Sequence, residues 1–398
     1  MSVQMNTGAP VADPAQESVL IEARGLRKHF VTKRPLFGKP TVVRAVDGVD
    51  LSVRRGETFS IVGESGCGKS TLARLLIRLL DPTEGSVVYD GKDIAALPES
   101  EMRRLRRDLQ FVFQDPFSSL NPRMTIGGLV EEPMRAHGIH DPKARREEVA
   151  RLLRRVGLRP EYADRYPHEF SGGQRQRIGI ARALATGPKL LIGDEPVSAL
   201  DVSVQAQVIN LLEDLKEEFG LTLIVIAHDL AVVRHMSDRV GVMYLGEMVE
   251  VGEAESFFSA PLHPYSRALL AAIPAPDPAR RHDGAKPGLS GDIPNPVAPP
   301  PGCRFHTRCP FADARCREER PVLRPAGEGR AVACHHFETL EPAEGLPPPP
   351  TRKPHVEQRF ALYRAKRTEQ TPPRGSSAGA TPEDKSPIRA DAHAAPER

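Results

Sequence analysis

The stretch FSIVGESGCGKSTLARLLIRLL, residues 59–80, decides the fold. FSIV is a short apolar run of the kind that forms a strand buried on both faces, and TLARLLIRLL reads as the helix packed behind it. Between them residues 63–70 read G-x-x-x-x-G-K-S, and a strand–loop–helix setting is the context this motif requires. Gly63, Gly66 and Gly68 let the loop curl so that its N–H groups converge on phosphate oxygens. The start of the helix adds a positive dipole end. Lys69 is placed to reach the β- and γ-phosphates, and Ser70 to offer its hydroxyl to Mg²⁺. The candidate nucleotide-binding set is Gly63, Glu64, Ser65, Gly66, Cys67, Gly68, Lys69, Ser70 and Thr71, with Cys67 read as a small filler without a redox task.

Downstream, KLLIGDEP (189–196) ends an apolar strand in two adjacent carboxylates. Successive side chains on a strand face opposite sides, so Asp194 and Glu195 are expected to do different jobs. Asp194 suits the magnesium shell, and Glu195 is left to polarise the attacking water. His228 follows the buried run LTLIVIA (221–227) and is placed for a γ-phosphate contact. Helical patterns lie between these strands. Residues 143–156 put Val149, Leu152, Leu153 and Val156 on one stripe, opened by Asp141-Pro142 and closed by Gly157. Residues 203–219 repeat the logic with Val204, Val208, Leu211, Leu212 and Leu215. The alternation predicts an α/β core.

The whole chain has 398 residues, enough for one large domain and something more. Its 55 basic and 52 acidic residues leave a charge of +3, too small an excess to argue for a nucleic-acid surface. No apolar run approaches the roughly 18–20 residues of a membrane helix. The opening residues lack a basic segment followed by an apolar core, so a cytosolic chain is expected. Residues 1–18 read as a disordered arm, 274–302 as a Pro-rich wrap or linker, and 341–398 as a disordered tail. Cys303, Cys309, Cys316 and Cys334 crowd into one window of little apolar content, which predicts a segment that needs metal to stay folded. Spacings of five, six and seventeen intervening residues leave an iron–sulfur cluster, zinc and free thiols all open. His306, His335 and His336 are substitute ligands on paper, but read more simply as surface residues.

FSGGQRQRIGIARAL (170–184) adds a second anion-binding helix start, with Ser171 as the N-cap and two exposed glycine N–H groups behind it. Followed by the acidic strand, SALD (198–201) and His228, it resembles the ATP-binding subunit of an ABC transporter over residues 18–262. The resemblance implies a P-loop NTPase of α/β class: an ABC-type nucleotide-binding domain over 19–262, with an antiparallel β subdomain and a helical subdomain at about 95–185. A small Cys-rich C-terminal extension over 263–340 would follow. It also implies two ATP molecules sandwiched between two subunits, so that Ser171, Gly172, Gly173 and Gln174 face the γ-phosphate held by a partner. Gln114 in FVFQDP would sense magnesium and touch the membrane partner, Asp201 would contact the opposite site, and His228 would be the switch histidine. Phe30, with Val43 as its competitor, falls where the family sets an aromatic ring against adenine. EMRRLRR (101–107) reads as a solvated face.

Longer strings narrow the resemblance. VFQDPFSSLNPRMTIG (112–127), RYPHEFSGGQ (165–174), DEPVSALDVSVQAQ (194–207) and PLHPYSRALL (261–270) are similar to the oligopeptide/dipeptide importer branch, second ATPase subunit type. That branch implies ATP hydrolysis coupled to peptide uptake through two separate permease subunits. It implies a homologous ATPase partner in preference to an identical one, and indirectly an extracytoplasmic peptide-binding protein. The chain would sit peripherally on the cytoplasmic face of the inner membrane, with a [4Fe–4S] cluster on the four cysteines and zinc as the alternative. The same architecture also serves opines, nickel chelates or sugars. A soluble ABC ATPase acting on nucleic acid is the rival from another class, opposed by the single ATPase unit and the absence of inserted zinc modules.

Overall fold

A computed structural model describes residues 19–31, 40–139, 141–198, 200–273, 291–327 and 329–343. The arm expected at 1–18, most of the Pro-rich stretch and nearly all of the tail expected from 341 onward lie outside the described residues.

Two sheets organise the described chain. The first is antiparallel, in the order β2 (Val42–Arg54), β1 (Val19–Val31), β4 (Glu84–Tyr89), β5 (Lys92–Asp93). The second is mostly parallel at its centre. It contains β3 (Thr58–Val62), β6 (Leu109–Val112), β7 (Leu190–Asp194), β8 (Thr222–Ile226), β9 (Arg239–Tyr244), β10 (Glu247–Glu253), β11 (Arg324–Pro325) and β12 (Ala331–Val332). Its order is β11-β12-β10-β9-β3-β8-β7-β6.

The apolar runs explain that centre. Every residue of β3, β7 and β8 is buried, as strands covered on both faces must be. Alternate side chains feed two separate cores. Leu190 and Ile192 of β7, with Ile224 and Ile226 of β8, pack toward the antiparallel sheet and the helix Lys69–Leu76. Leu191, Leu223 and Val225 pack toward the helices on the other side.

The helices begin and end where the chain chemistry directs. Asp141 accepts a hydrogen bond from the Lys143 N–H, and Pro142 opens the helix Pro142–Arg155. Val149, Leu152 and Leu153 are buried along the expected stripe, and Val156 follows in the cap. The helix Val202–Phe219 buries Val208, Leu211, Leu212 and Leu215 and stops at Gly220, whose φ of +64° is left-handed. Val204 on the same stripe is only half-buried. Helices Ile126–Ala136, Pro142–Arg155 and Gly172–Leu184 pack on one another. Among the described residues no helix is long and apolar enough to cross a membrane.

The cysteine-bearing segment has anchors of its own in the described chain. Strand β12 pairs with β10, Glu250 opposite Val332. Phe305 is fully buried, with its ring 5.3 Å from Tyr244 and 5.4 Å from Tyr265, a burial that contributes about 1.5–3 kcal/mol. Arg304, also buried, pairs with Asp47 and Glu247. Single anchors of this kind carry no periodicity, so composition alone underrates the segment.

Candidate functional site

Strands β3, β8, β7 and β6 are neighbours in that order, and ligands in parallel sheets bind beyond the carboxyl ends of the strands. Each strand delivers a predicted residue there. The phosphate loop leaves β3, His228 lies just beyond β8, Asp194 ends β7 with Glu195 behind it, and Gln114 lies just beyond β6. A cavity of about 750 Å³, counted with its open mouth, is lined by residues 65–71, Gln114 and Glu195. Val43, Arg44, Ala45, Leu245, Gly246 and Pro296 complete the lining. Apart from Val43, these are residues the sequence reading missed, because each comes from a distant segment without a motif of its own.

The loop needs its glycines. Gly68 has φ +107°, and a Cβ there would stand 2.0 Å from the Ala45 carbonyl oxygen. Gly63 has φ +149°, and its Cβ would meet the Met243 carbonyl oxygen at 2.1 Å. No L side chain is tolerated at either position. Lys69 is buried, and its Nζ donates to the carbonyl oxygens of Gly63 (2.7 Å) and Glu64 (2.9 Å). Cys67 is buried beside it, and burial pushes its thiol up, away from reactivity.

Ser70 Oγ donates to Asp194 Oδ1 at 2.8 Å. Burial pushes the Asp194 carboxyl above its ordinary value, against the pull of the Ser70 hydrogen bond and Arg74. Glu195 has other partners. Its Oε2 accepts from Gln114 Nε2 at 2.8 Å and lies 3.5 Å from His228 Nδ1. The division between the two carboxylates has a backbone cause. The strand stops at Asp194, and Glu195 takes a left-handed φ of +48° while its N–H donates to Ile226. Such a conformation costs on the order of 1–3 kcal/mol in a non-glycine residue and clusters at working sites.

The helix Gly172–Leu184 opens with a reciprocal cap. Ser171 Oγ accepts from the Gln174 N–H, and Gln174 Oε1 accepts from the Ser171 N–H. A Cβ at Gly173 would meet Val204 at 2.5 Å, so this helix start sits tight against the helix Val202–Phe219. Residues 171–174 do not line the nucleotide cavity, and Ser171 is exposed. Asp201 is exposed too, and caps its helix by accepting from Val204 N–H and Ser203 Oγ. Phe30 is 41% exposed and does not line the cavity, whereas Val43, its cross-strand partner, does. Phe30 is thus no core residue. Gly63 and Glu64 also lie off the lining. Glu64 turns away to Tyr265, whose hydroxyl accepts its N–H, and to Arg308, which grips its carboxylate.

The four C-terminal cysteines line one smaller cavity, together with His263, His306, His335 and His336. Burial, reinforced by the neighbouring cysteines, pushes Cys303 up to about 12 and Cys309 up to about 11. Among the described residues, the one group of three ligand atoms within 4.8 Å of one another is Asp313, Cys316 and His336. Asp313 there caps the helix Ala314–Glu318 through the Cys316 N–H and pairs with His336. The thiols share a cavity without being that close-packed.

Residues 46–198 match the ABC transporter family, and residues 249–316 match the oligopeptide/dipeptide transporter C-terminal region. The chain is 54% identical to the putative oligopeptide transport ATP-binding protein YkfD of Bacillus subtilis, over 82% of this chain and 98% of that protein. It is 52% identical to the oligopeptide transport ATP-binding protein OppF of Salmonella typhimurium, over 82% and 98%. Among solved structures it resembles the dimeric, post-hydrolysis ATP-binding cassette MJ0796 bound to ADP and Pi. There the TM-score is 0.54 and the identity 33%, over 59% of this chain and 99% of that one. With the phosphate loop, the paired carboxylates and the capped SGGQ helix on one scaffold, the chain belongs to the ABC transporter family, as an ATP-binding subunit of the oligopeptide and dipeptide transport type.

Proposed function

We propose that this subunit hydrolyses Mg-ATP at the carboxyl edge of its parallel sheet and couples the step to uptake of dipeptides or oligopeptides through two separate permease chains. The observation that carries the mechanism is the divergence of two adjacent carboxylates, the second on a left-handed residue: Asp194 on Ser70, Glu195 on Gln114 and His228. Lys69 and the loop amides bind the β- and γ-phosphates, and Ser70, Asp194 and Gln114 would hold Mg²⁺. Glu195 takes the proton of the attacking water, with Gln114 and His228 orienting it. Val43, with Phe30 beside it, frames the side where adenine would stack. Residues 171–174 and Asp201 lie off the cavity, which fits a site completed by the Ser171 helix of a partner ATPase, a homologue in preference to a copy. Such an assembly would sit on the cytoplasmic face of the inner membrane, fed by an extracytoplasmic binding protein. Mass spectrometry of chains that co-purify with it from solubilised membranes tests this. Two permeases and a second ATPase are expected; capture of nucleic-acid-processing proteins instead would contradict it.

The four cysteines would hold a [4Fe–4S] cluster in a nucleotide-binding domain's C-terminal extension. Zinc on four thiolates at about 2.3 Å requires sulfurs about 3.8 Å apart. Among the described residues no three of these sulfurs lie within 4.8 Å of one another, which favours the larger cluster. When bound, the cluster would cross-link residues 303–334, adding to the anchors of Phe305 and Arg304. Anaerobic purification should yield about four iron and four sulfide per chain, and Cys316→Ser should lose them. One equivalent of zinc without iron would remove the cluster.

A further inference from the structure

The string PLHPYSRALL (261–270) is longer than ATP chemistry requires, and the structure shows what it holds. Glu250, buried, accepts the N–H groups of Leu262 and His263 and pairs with Arg330. His263 is wholly buried, and burial lowers it to about 3, so it is the neutral ring whose Nδ1 accepts the Tyr265 N–H and starts the helix Pro264–Ala271. This sets the Tyr265 hydroxyl 2.8 Å from the Glu64 N–H in the phosphate loop.

A second arm arrives from the cysteine segment. Arg308 makes a bidentate pair with Glu64, Nη1 to Oε2 at 2.7 Å and Nη2 to Oε1 at 2.9 Å. The Arg308 side chain is 4% exposed and that of Glu64 18%, so water competes little for the pair. Tyr244 braces the assembly, its ring 4.6 Å from Tyr265 and its hydroxyl 3.4 Å from Arg308. Glu64 in turn touches the machinery, because its carbonyl accepts Lys69 Nζ.

We propose that Tyr265 and Arg308 are positioning residues for the ATP site: through Glu64 they fix the first turn of the phosphate loop and the setting of Lys69, so the C-terminal extension sets ATP affinity in cis. The proposal rests on the ATP-site reading above. It predicts a defect in ATP engagement and not in chemistry, since neither residue lines the cavity.

The test is a double-mutant cycle on the full-length chain, with binding of a fluorescent ATP analogue, and with KM and kcat in the assembled transporter. Losing a charge-assisted fork should weaken ATP binding and raise KM about tenfold in Arg308→Ala, with kcat within about twofold. Arg308→Lys should recover only part of this, because a point charge cannot form the fork. Glu64→Ala should match Arg308→Ala, and the double variant should be no worse than either. Tyr265→Phe, which keeps the ring, should weaken binding several-fold and guards against misfolding of the arginine variants. Additive effects of Glu64→Ala and Arg308→Ala would overturn the proposal, as would a lowered melting temperature with unchanged ATP binding. Lys69→Ala separates the two readings. If it abolishes binding while Arg308→Ala and Tyr265→Phe do not weaken it, the brace alone is wrong. If it leaves binding intact, the ATP-site reading falls and takes the brace with it.

Discussion

Glu195→Gln should lower ATP turnover by about 10²–10⁴-fold, the usual contribution of a general base, while leaving ATP bound. The substitution keeps the shape of the side chain and its capacity to hydrogen-bond with Gln114, now 2.8 Å away. It removes the charge proposed to accept the water proton. Asp194 is untouched and keeps its bond to Ser70, on the side proposed to hold the metal. ATP should therefore bind, close the subunits and remain, so the variant should trap a stable dimer with its partner on gel filtration. Full turnover in Glu195→Gln would take the base role from this residue and make His228, 3.5 Å from it, the next candidate.

Ser171→Arg should abolish coupled hydrolysis and leave ATP binding by this subunit's own loop within about twofold. Ser171 caps the helix Gly172–Leu184 from an exposed position and lies off the cavity that Lys69 lines. An arginine there puts a large cation on the positive end of the helix dipole, where the reading places a partner's γ-phosphate. Losing the cap costs about 1 kcal/mol, so Ser171→Ala serves as the control that loses the cap without gaining bulk. It should lose less of the coupled activity than Ser171→Arg does. If Ser171→Arg instead destroyed binding by the isolated chain, the signature and the loop would share one site within the subunit, and the sandwich geometry would be wrong.

Much of this site is legible in the sequence because phosphate chemistry imposes local patterns. A loop that must approach phosphate with its backbone needs glycine at positions such as 63 and 68, where a Cβ would strike a carbonyl oxygen. Strands covered on both faces must be apolar, which gives β3, β7 and β8 away. Contacts between distant segments leave no such trace. Arg308 and Glu64 are 244 residues apart, and nothing near either announces the other. Pro296 reaches the nucleotide cavity from the same far segment. Backbone conformation is equally silent: the strand ends at Asp194, so strand alternation is not what separates Asp194 from Glu195, and the turn that aims Glu195 is a left-handed residue no propensity would assign. Composition is silent too at the cysteine segment, where Phe305, Arg304 and a two-residue strand anchor a stretch of little apolar content.

The central claim, that hydrolysis at Glu195 drives peptide uptake, is tested most directly by reconstitution. The chain, its partner ATPase and the co-purifying permeases are placed in proteoliposomes, and ATP-dependent movement of labelled di- and oligopeptides is measured. Peptide should accumulate with the wild-type chain and not with Glu195→Gln; vigorous ATP hydrolysis without movement of any peptide, or uptake that Glu195→Gln leaves unchanged, would contradict the account.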